Sequence, residues 1–289
     1  MSAWIIVLII IGAVIVLMTL IGLIKKPDSI YYNKPEEKNP MEGKKVVFVE
    51  NETEKENADG VRGHLEAVGN SEHHAGVYEA VIKRLFDIVL SFFGLILLSP
   101  VFLVLSIWIY IDDPGTILFT QKRISRNKRY FKLHKYRSMK MCTPHDKPTH
   151  MLENPEQYIT KAGKFIRAHS LDELPQIWDI FIGNMSVIGP RPGLWNQDLL
   201  TAERDKYGAN DIKPGLTGWA QINGRDELEI PVKAKLDGDY TKNLGFKMDM
   251  KCFFGSVGVF KGDESVVEGG TGEMKRASEQ EREKEIVGK

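Results

Sequence analysis

The sequence of 289 residues is poor in cysteine, balanced in charge and without a metal-binding pattern of histidines. Only Cys142 and Cys252 are present, so a disulfide framework is excluded and a reducing, cytoplasmic setting is expected. Lysine plus arginine and aspartate plus glutamate both number 39, so no overall positive field marks a nucleic-acid-binding protein. The seven histidines lack the spacing of zinc ligands. Function must therefore depend on local clusters of charge and on apolar segments.

The first apolar segment is long enough to cross a membrane. Residues 4–24 contain 21 residues without a charged side chain, which as a helix measure about 31 Å. Lys25 and Lys26 follow directly, whereas a signal peptide carries its positive charge before the apolar run. We predict a transmembrane helix over residues 1–26, with the chain from residue 25 onward in the cytoplasm. Residues 27–78 are polar, which predicts a juxtamembrane linker that contains at most a short strand within residues 44–49.

A second apolar segment, residues 85–111, is divided by Ser99 and Pro100. Proline removes a helical hydrogen bond and clashes with the preceding turn, so two helices of about 22 and 16 Å result, each too short to cross a bilayer alone. A kinked span and a re-entrant helix–break–helix both fit this pattern. Basic pairs flank both ends, at residues 83–84 and 122–123, which favours one membrane side for both ends. We therefore expect a re-entrant membrane helix over residues 79–113.

The stretch that follows is strongly basic. Residues 114–145 contain no acidic side chain and nine basic ones, Lys122, Arg123, Arg126, Lys128, Arg129, Lys132, Lys135, Arg137 and Lys140. A basic face that rests on anionic lipid and a phosphate-binding surface explain this equally well, and the two are compatible. A nucleic-acid site has a similar composition, but the adjoining membrane segment argues against it.

An adjacent acid pair, Asp172 and Glu173, stands at the centre of residues 165–193. Adjacent side chains on a helix diverge by about 100°, so the two carboxylates are expected to face different partners. Ser170 predicts a helix N-cap with Glu173 as its capping acid. A capping box alone would explain both acids without any chemistry.

Two further motifs follow the acid pair. Residues 185–192 read Met-Ser-Val-Ile-Gly-Pro-Arg-Pro, and residues 213–225 read Lys-Pro-Gly-Leu-Thr-Gly-Trp-Ala-Gln-Ile-Asn-Gly-Arg. With residues 172–176, Asp-Glu-Leu-Pro-Gln, they resemble in order and spacing the signature of the bacterial sugar transferases, the monotopic polyprenyl-phosphate phosphoglycosyl transferases. The resemblance covers about residues 78–254, which is most of the chain.

The resemblance implies a fold of the α+β class that is mainly helical. A compact cytoplasmic catalytic domain with a small β element is expected over residues 114–261, after a re-entrant helix that breaks at Ser99 and Pro100. Residues 262–289 are charged and glycine-rich, which predicts a disordered tail. The family has two glycines in the basic stretch after Gln-x-Arg. Gln121 and Arg123 match that motif, but Ser125 and Lys128 replace the glycines, so a different local turn is expected.

The resemblance also implies a reaction, the transfer of sugar-1-phosphate from a UDP-sugar to polyprenyl (undecaprenyl) phosphate with release of UMP. Asp172 is then the nucleophile of a covalent, ping-pong mechanism, Glu173 the ligand of Mg²⁺, and Arg191 a phosphate ligand. The further substrate- or phosphate-binding residues are Arg225, Lys135, Arg137, Arg123, Gln176 and Lys213.

The implied partners are a UDP-sugar, polyprenyl phosphate and the lipid bilayer, with no nucleic acid, and the same interpretation allows a homo-oligomer and downstream glycosyltransferases. The implied location is the bacterial inner membrane with the catalytic domain on its cytoplasmic face, and the implied pathway step initiates exopolysaccharide, capsule, O-antigen or glycoprotein glycan assembly. Two alternatives stay open. A non-catalytic scaffold is disfavoured by the intact pair Asp172 and Glu173, and a polytopic transferase is disfavoured by the single clear span.

Overall fold

A computed structural model describes residues 38–143, 155–224 and 228–259. The predicted transmembrane helix (residues 1–26) and the predicted tail (residues 262–289) lie outside these residues. The described chain has eight α-helices and six short strands, so the fold is mixed and mainly helical, as expected. Two compact units form: Arg84–Lys122 with Lys132–Gly183, and Lys38–Lys83 with Arg123–Phe131 and the chain from Asn184. The domain boundaries drawn from the sequence stay predictions, since compactness does not separate membrane from cytoplasmic segments.

The first unit contains four helices. They are α1 (Arg84–Leu97), α2 (Ser99–Asp112), α3 (Lys161–Ala168) and α4 (Gln176–Ile182). Strands β3 (Leu118–Ile124) and β4 (Tyr130–Tyr136) form a two-stranded sheet, of which residues 118–122 and 132–136 belong to this unit. The core combines apolar residues of α2, β4 and α3, namely Phe102, Leu105, Ile109, Tyr136, Ala162 and Ile166.

Helices α1 and α2 form the predicted broken apolar segment. The break at Ser99 and Pro100 is confirmed, because α2 begins there with proline in its first turn and the Ser99 hydroxyl donates to the Ile96 carbonyl at 2.8 Å. A π-helical turn, Tyr78–Lys83, leads into α1. Among the described residues, no single helix combines the length and hydropathy of a membrane span, whereas Tyr78–Leu97 and Ser99–Asp112 do so as a pair bent by 59°. The pair exposes many large apolar side chains, among them Leu85, Phe93, Leu97, Val104 and Ile111.

The second unit contains the other four helices, α5 (Asp198–Asp205), α6 (Trp219–Ile222), α7 (Ile230–Lys242) and α8 (Phe246–Val259). Strands β1 (Lys44–Glu50) and β2 (Gly63–Asn70) pair antiparallel. Strands β5 (Ser186–Ile188) and β6 (Gly215–Thr217) pair in parallel. Ile188, Ile212, Tyr240 and Cys252 form one core cluster of this unit.

Within the segment predicted as a polar linker, residues 27–78, the structure forms two paired strands where at most one short strand was expected. The strand suggested by residues 44–49 is confirmed as β1, and β1 and β2 pack against α5. Two side chains fix the hairpin region to this helix: Asp205 accepts the Val46 backbone N–H at 2.8 Å, and Asp59 accepts the Leu200 backbone N–H at 3.1 Å. Partners far along the sequence therefore order a polar segment whose composition alone predicts little structure.

The turn between β3 and β4 contains the residues that replace the family's glycines. Lys128 has φ 63°, and Asn127 before it has φ 55°, although left-handed backbone favours glycine. The lysine therefore does not prevent this conformation, contrary to the expectation from its side chain. Its fully buried ammonium lies 2.8 Å from Asp205 Oδ1 and 3.0 Å from Oδ2, so the side chain has a specific buried partner in this conformation.

Candidate active site

The acid pair lies in a short 3₁₀ turn, Leu171–Glu173, between α3 and α4. Ser170 before it has a left-handed backbone, with φ 52°, and its side chain makes no capping hydrogen bond. An N-cap residue needs extended dihedral angles for its hydroxyl to reach the amides of the first turn, so the predicted capping box is wrong. The next helix, α4, begins immediately after Pro175. The two acids are thus presented by a tight turn.

Lys135 joins the two carboxylates. Strand β4 buries Tyr136 in the core, and alternation along the strand turns the neighbouring Lys135 away from that core. Its Nζ atom lies 3.3 Å from Asp172 Oδ2 and 2.9 Å from Glu173 Oε1. The expectation that the two acids face different partners is therefore wrong, since they share this ammonium.

The cluster of Asp172, Glu173 and Lys135 is largely buried, which strengthens the interactions between its charges. Asp172 is only 2% exposed, and the Lys135 and Glu173 side chains are largely covered. Two neighbouring carboxylates repel each other more strongly away from water, and one ammonium between them offsets part of that repulsion. The cluster therefore keeps an anionic oxygen and a counter-charge together in a site with little water.

A buried carboxylate, which the sequence analysis missed, anchors the strand that carries Lys135. Asp179 in α4 is 0% exposed. Its Oδ2 atom accepts the His134 backbone N–H at 2.9 Å, and its Oδ1 atom lies 2.9 Å from His134 Nδ1. Because His134 precedes Lys135 directly, Asp179 fixes the register of β4 against the helix that follows the acid turn. Its position three residues after Gln176, on one helix face, is the signal that could have revealed it.

Other predicted residues of this unit have different roles. Arg137 donates from Nε to the Thr116 carbonyl at 2.5 Å and from its two Nη atoms to the Asp113 carboxylate and carbonyl. These contacts hold the end of α2 and engage all three guanidinium nitrogens, so they give no support to the predicted phosphate role of Arg137. Gln176 is buried at the first position of α4.

Arg84, which was not predicted as a functional residue, closes the other end of α4. Its two Nη atoms donate to the carbonyls of Ile180 at 2.7 Å and Phe181 at 2.8 Å. Gly183 ends the helix with φ 95°. The cation thus satisfies carbonyls that a helix C-terminus leaves without intrahelical partners, and it ties α4 to the first residue of α1.

In the second unit, the structure brings the two glycine-containing motifs together. The Gly189 N–H donates to the Thr217 carbonyl at 2.8 Å, and the Gly215 N–H donates to the Pro190 carbonyl at 2.9 Å. The backbones approach so closely that a Cβ atom on Gly215 would lie 2.0 Å from Gly189 N. Only glycine fits where these two backbones approach each other. Their close approach places the loops that carry Arg191 and Lys213 side by side.

Arg123 supports the same loop. Its Nη1 atom donates to the Pro192 carbonyl at 2.9 Å, and the Ile124 N–H donates to the Gly193 carbonyl at 3.0 Å. Arg123 therefore has a structural contact with the loop that carries Arg191. Arg225 lies outside the described residues. The predicted phosphate-binding roles of Arg123, Arg191 and Lys213 stay predictions.

The donor set is compatible with a magnesium ion that substrate phosphates help to hold. Within residues 38–143, 155–224 and 228–259, no group of three or more histidine, cysteine, aspartate or glutamate side chains forms a metal site. Mg²⁺ is commonly bound through one or two carboxylates, substrate phosphates and water. The carboxylate oxygens of Asp172 and Glu173 fit that pattern. The described residues do not offer enough side-chain ligands to hold the ion by themselves.

Comparison with known proteins gives the same family as the motifs. The model of the bacterial sugar transferase family matches residues 78–262. The chain is 35% identical over 189 residues to the UDP-glucose:undecaprenyl-phosphate glucose-1-phosphate transferase of Escherichia coli (strain K12), covering 63% of this chain and 40% of that protein. It is 34% identical over 194 residues to the exopolysaccharide production protein PSS of Rhizobium leguminosarum bv. phaseoli, covering 62% of this chain and 94% of that protein.

A third relative has a different named sugar. The chain is 30% identical over 187 residues to the UDP-N-acetylgalactosamine-undecaprenyl-phosphate N-acetylgalactosaminephosphotransferase of Aeromonas hydrophila, covering 62% of this chain and 43% of that protein. The chain thus spans less than half the length of two of these three relatives. The family match includes the bent helix pair, the acid turn and both glycine-containing loops. This chain belongs to the bacterial sugar transferase family.

Proposed function

We propose that the chain is a phosphoglycosyl transferase that moves sugar-1-phosphate from a UDP-sugar to polyprenyl phosphate. The single observation that carries the proposal is the buried cluster in which Lys135 Nζ contacts both Asp172 and Glu173. The names of the three relatives support the class of chemistry, since two of them transfer a sugar phosphate to undecaprenyl phosphate and the third acts in exopolysaccharide production.

Asp172 acts as the nucleophile. One carboxylate oxygen forms a bond to the phosphorus that bears the sugar, the bond from that phosphorus to the bridging oxygen of the diphosphate breaks, and UMP leaves with that oxygen. A phosphate oxygen of the polyprenyl acceptor then attacks the same phosphorus and restores the carboxylate, which gives polyprenyl-diphosphate-sugar. Division of one displacement into two is the general advantage of a covalent intermediate.

Lys135 and Glu173 prepare this attack. In the structure the ammonium lies between the carboxylates, where it stabilises both negative charges. When a diphosphate enters, the same ammonium is available to the phosphate oxygens. Mg²⁺ held by Glu173 and the donor phosphates would neutralise charge on the diphosphate and its leaving group.

The apolar pair α1 and α2 places this chemistry at a membrane surface. A water-soluble donor and a lipid acceptor meet only at the interface, which calls for an anchor that enters the bilayer near the site. The 59° bend at Ser99 and Pro100 and the basic residues at both ends favour re-entry into one leaflet of the bacterial inner membrane from the cytoplasmic side. Arg84 ties the first residue of this anchor to α4, directly after the acid turn.

The deciding assay incubates purified full-length protein in detergent with undecaprenyl phosphate, Mg²⁺ and a panel of UDP-sugars, and measures UMP. We expect UMP release with at least one sugar, none for Asp172→Asn, and protein-bound label when a donor labelled in the sugar is supplied without acceptor. Initial rates should show ping-pong kinetics. A ternary-complex pattern with no trapped label would assign the attack to the lipid phosphate and overturn the nucleophile. No UMP with any donor would favour the non-catalytic scaffold.

A further inference from the structure

The hairpin of β1 and β2 lies outside the part of the chain that the family model matches, yet it is built into the second unit. The family match begins at residue 78. The hairpin region, defined as residues 44–70, comprises both strands and the connection between them, and it packs against helix α5. The proposed reaction uses no residue of this region, so its attachment to α5 calls for an explanation.

Helix α5 connects the two loops that carry predicted phosphate-binding residues of the second unit. The loop with Arg191 ends at Gln197, directly before the helix, and the segment after Asp205 leads to Lys213. The two loops meet again where their glycines approach each other. The placement of α5 therefore determines where both loops begin.

The hairpin region supplies the N-terminal cap of α5. Gln197, at the N-cap position, makes no capping hydrogen bond, and its Oε1 atom accepts the Leu194 N–H of the preceding loop at 2.8 Å. Asp59 takes over the capping role, because its Oδ2 atom accepts the Leu200 N–H in the first turn of the helix at 3.1 Å. An N-cap side chain normally accepts this hydrogen bond, and a carboxylate is favourable at this end of a helix.

The hairpin region also contacts the turn before α5 directly. The Ala58 N–H donates to the Asn196 carbonyl at 3.1 Å, and within the same turn the Gln197 N–H donates to the Leu194 carbonyl at 3.1 Å. Because the partners are backbone groups, these contacts do not depend on the side chains. The end of the Arg191 loop and the start of the helix are thus held by neighbouring residues of one segment.

At its other end, α5 is held by strand β1. The Val46 N–H donates to Asp205 Oδ2 at 2.8 Å, and Asn210 Nδ2 donates to Asp205 Oδ1 at 2.6 Å. Asn210 Nδ2 also donates to the Thr201 carbonyl at 2.8 Å, so the segment that leads to Lys213 is tied back to the helix. The hairpin region, α5 and this segment therefore share one buried polar network.

We infer that Asp59 is a positioning residue for the site of the UDP-sugar: as the cap of α5 it holds the Arg191 and Lys213 loops in place, which makes the hairpin region part of that site. The inference rests on the proposed function, in which these loops bind the diphosphate. Asp59 acts through α5 and not on the reacting atoms. Its loss should therefore weaken donor binding, which raises KM, and leave the chemical step largely intact.

The first measurement is hydrogen–deuterium exchange of the full-length protein in detergent, as wild type, Asp59→Ala, Asp59→Asn and Glu52→Ala. Asparagine retains a side-chain oxygen for the Leu200 N–H, and Glu52 is an exposed acid in the same connection between the strands, so both variants are controls. The N–H groups of Leu194 and Gly215 report on the two loops, because both are hydrogen-bonded there to partners other than Asp59.

We expect several-fold faster exchange at Leu194 and Gly215 in Asp59→Ala, and exchange close to that of the wild type in the two controls. Unchanged exchange in a folded Asp59→Ala would overturn the inference. The other contacts between the hairpin region and α5 remain in this variant, so it should fold. If it does not, Asp59→Glu, which displaces the carboxylate by one methylene, is measured against the same expectation.

The second measurement separates positioning of the loops from a general loss of stability. With the UDP-sugar that supports UMP release by the wild type, Asp59→Ala should raise KM several-fold and leave kcat within about twofold, and Asp59→Asn should restore KM. Equal losses of activity in both variants, or an unchanged KM, would overturn the role in donor binding. A wild type that releases no UMP would refute the proposed function, whereas the exchange result would still decide whether Asp59 orders the loops.

Discussion

At the scale of single residues, Lys135 is the side chain on which the acid pair depends. Replacement by methionine keeps the length of the chain but removes the ammonium that contacts Asp172 and Glu173. We expect Lys135→Met to lower kcat for UMP release about 10²-fold, because a preorganised charge at the reacting phosphate is lost. Lys132→Met, on the same strand, should leave kcat within about threefold. An equal loss of kcat in both variants would mean that any positive charge on this strand supports turnover, and that Lys135 has no special role.

Asp179 is expected to affect activity indirectly, because it contacts His134 and not the substrate. Asp179→Ala removes both contacts that fix β4 beside Lys135, and we expect kcat to fall about 10²-fold through misplacement of the ammonium with a smaller change in KM. Asp179→Asn retains an acceptor for the His134 backbone N–H and should recover most of the activity. If the asparagine variant folds but is as inactive as the alanine variant, the backbone contact is not what positions Lys135.

The sequence identified the two acids of the site more readily than the residues that hold the site in place. Asp172 and Glu173 were identified from the motif and Lys135 as a phosphate-binding residue implied by the resemblance, and the structure places the three in contact. Asp179 was missed because an acid inside a short helix usually faces water, and only the fold shows that it is 0% exposed. Arg137 was assigned to phosphate because its charge is evident from sequence, whereas its contacts with Asp113 and Thr116 are not.

At the scale of elements, the hairpin of β1 and β2 with α5 contains a titrating acid. Burial, and then the neighbouring charge of Asp59, raise the pKa of Asp198 to about 6 from 3.8. Because the folded pKa is the higher one, the stability contribution is complete below pH 3.8 and is lost as pH rises through about 6. Asp198→Asn should therefore raise the free energy of unfolding at pH 7.5 by roughly 1 kcal/mol, a value reduced from the full shift because the side chain is partly exposed.

Thermal or urea unfolding of the wild type and of Asp198→Asn at pH 4 and pH 7.5 measures this difference. The gain should be clear at pH 7.5 and close to zero at pH 4, where the wild-type carboxyl is already protonated in the folded protein. Asp239→Asn serves as a control at an acid outside this cluster. A gain of equal size at both pH values would contradict the assigned cause.

The elements also show where sequence patterns succeed. The break at Ser99 and Pro100 follows from the chemistry of proline in a helix, and the structure confirms it. Strand β2, Gly63–Asn70, lacks a clear alternation of apolar and polar residues and is defined by its pairing with β1 and by α5. Long-range contacts of that kind leave little trace in a local pattern.

At the scale of the whole molecule, the open question is on which side of the membrane each end of the bent pair lies. Re-entry places residues before α1 and after α2 on the cytoplasmic side, whereas a kinked span separates them. The structure indicates which positions can be probed without damage. Lys83 is buried against Asp249 and Asp113 contacts Arg137, so cysteines there would disturb packing, whereas His74 and Phe119 are exposed on either side of the pair.

We therefore predict that His74→Cys and Phe119→Cys, each in a Cys142→Ser background, both resist a membrane-impermeant thiol reagent applied to intact cells. After permeabilisation both should react, which shows that neither thiol is merely shielded by the protein. The expectation follows because basic residues flank both ends of the pair and because the helical segments Tyr78–Leu97 and Ser99–Asp112, bent by 59°, are together better suited to enter and leave one leaflet than to span. Labelling of exactly one position in intact cells would establish a kinked span.

Removal of the bend by Pro100→Leu should shift the population toward that labelling pattern, since leucine restores the hydrogen bond that proline lacks.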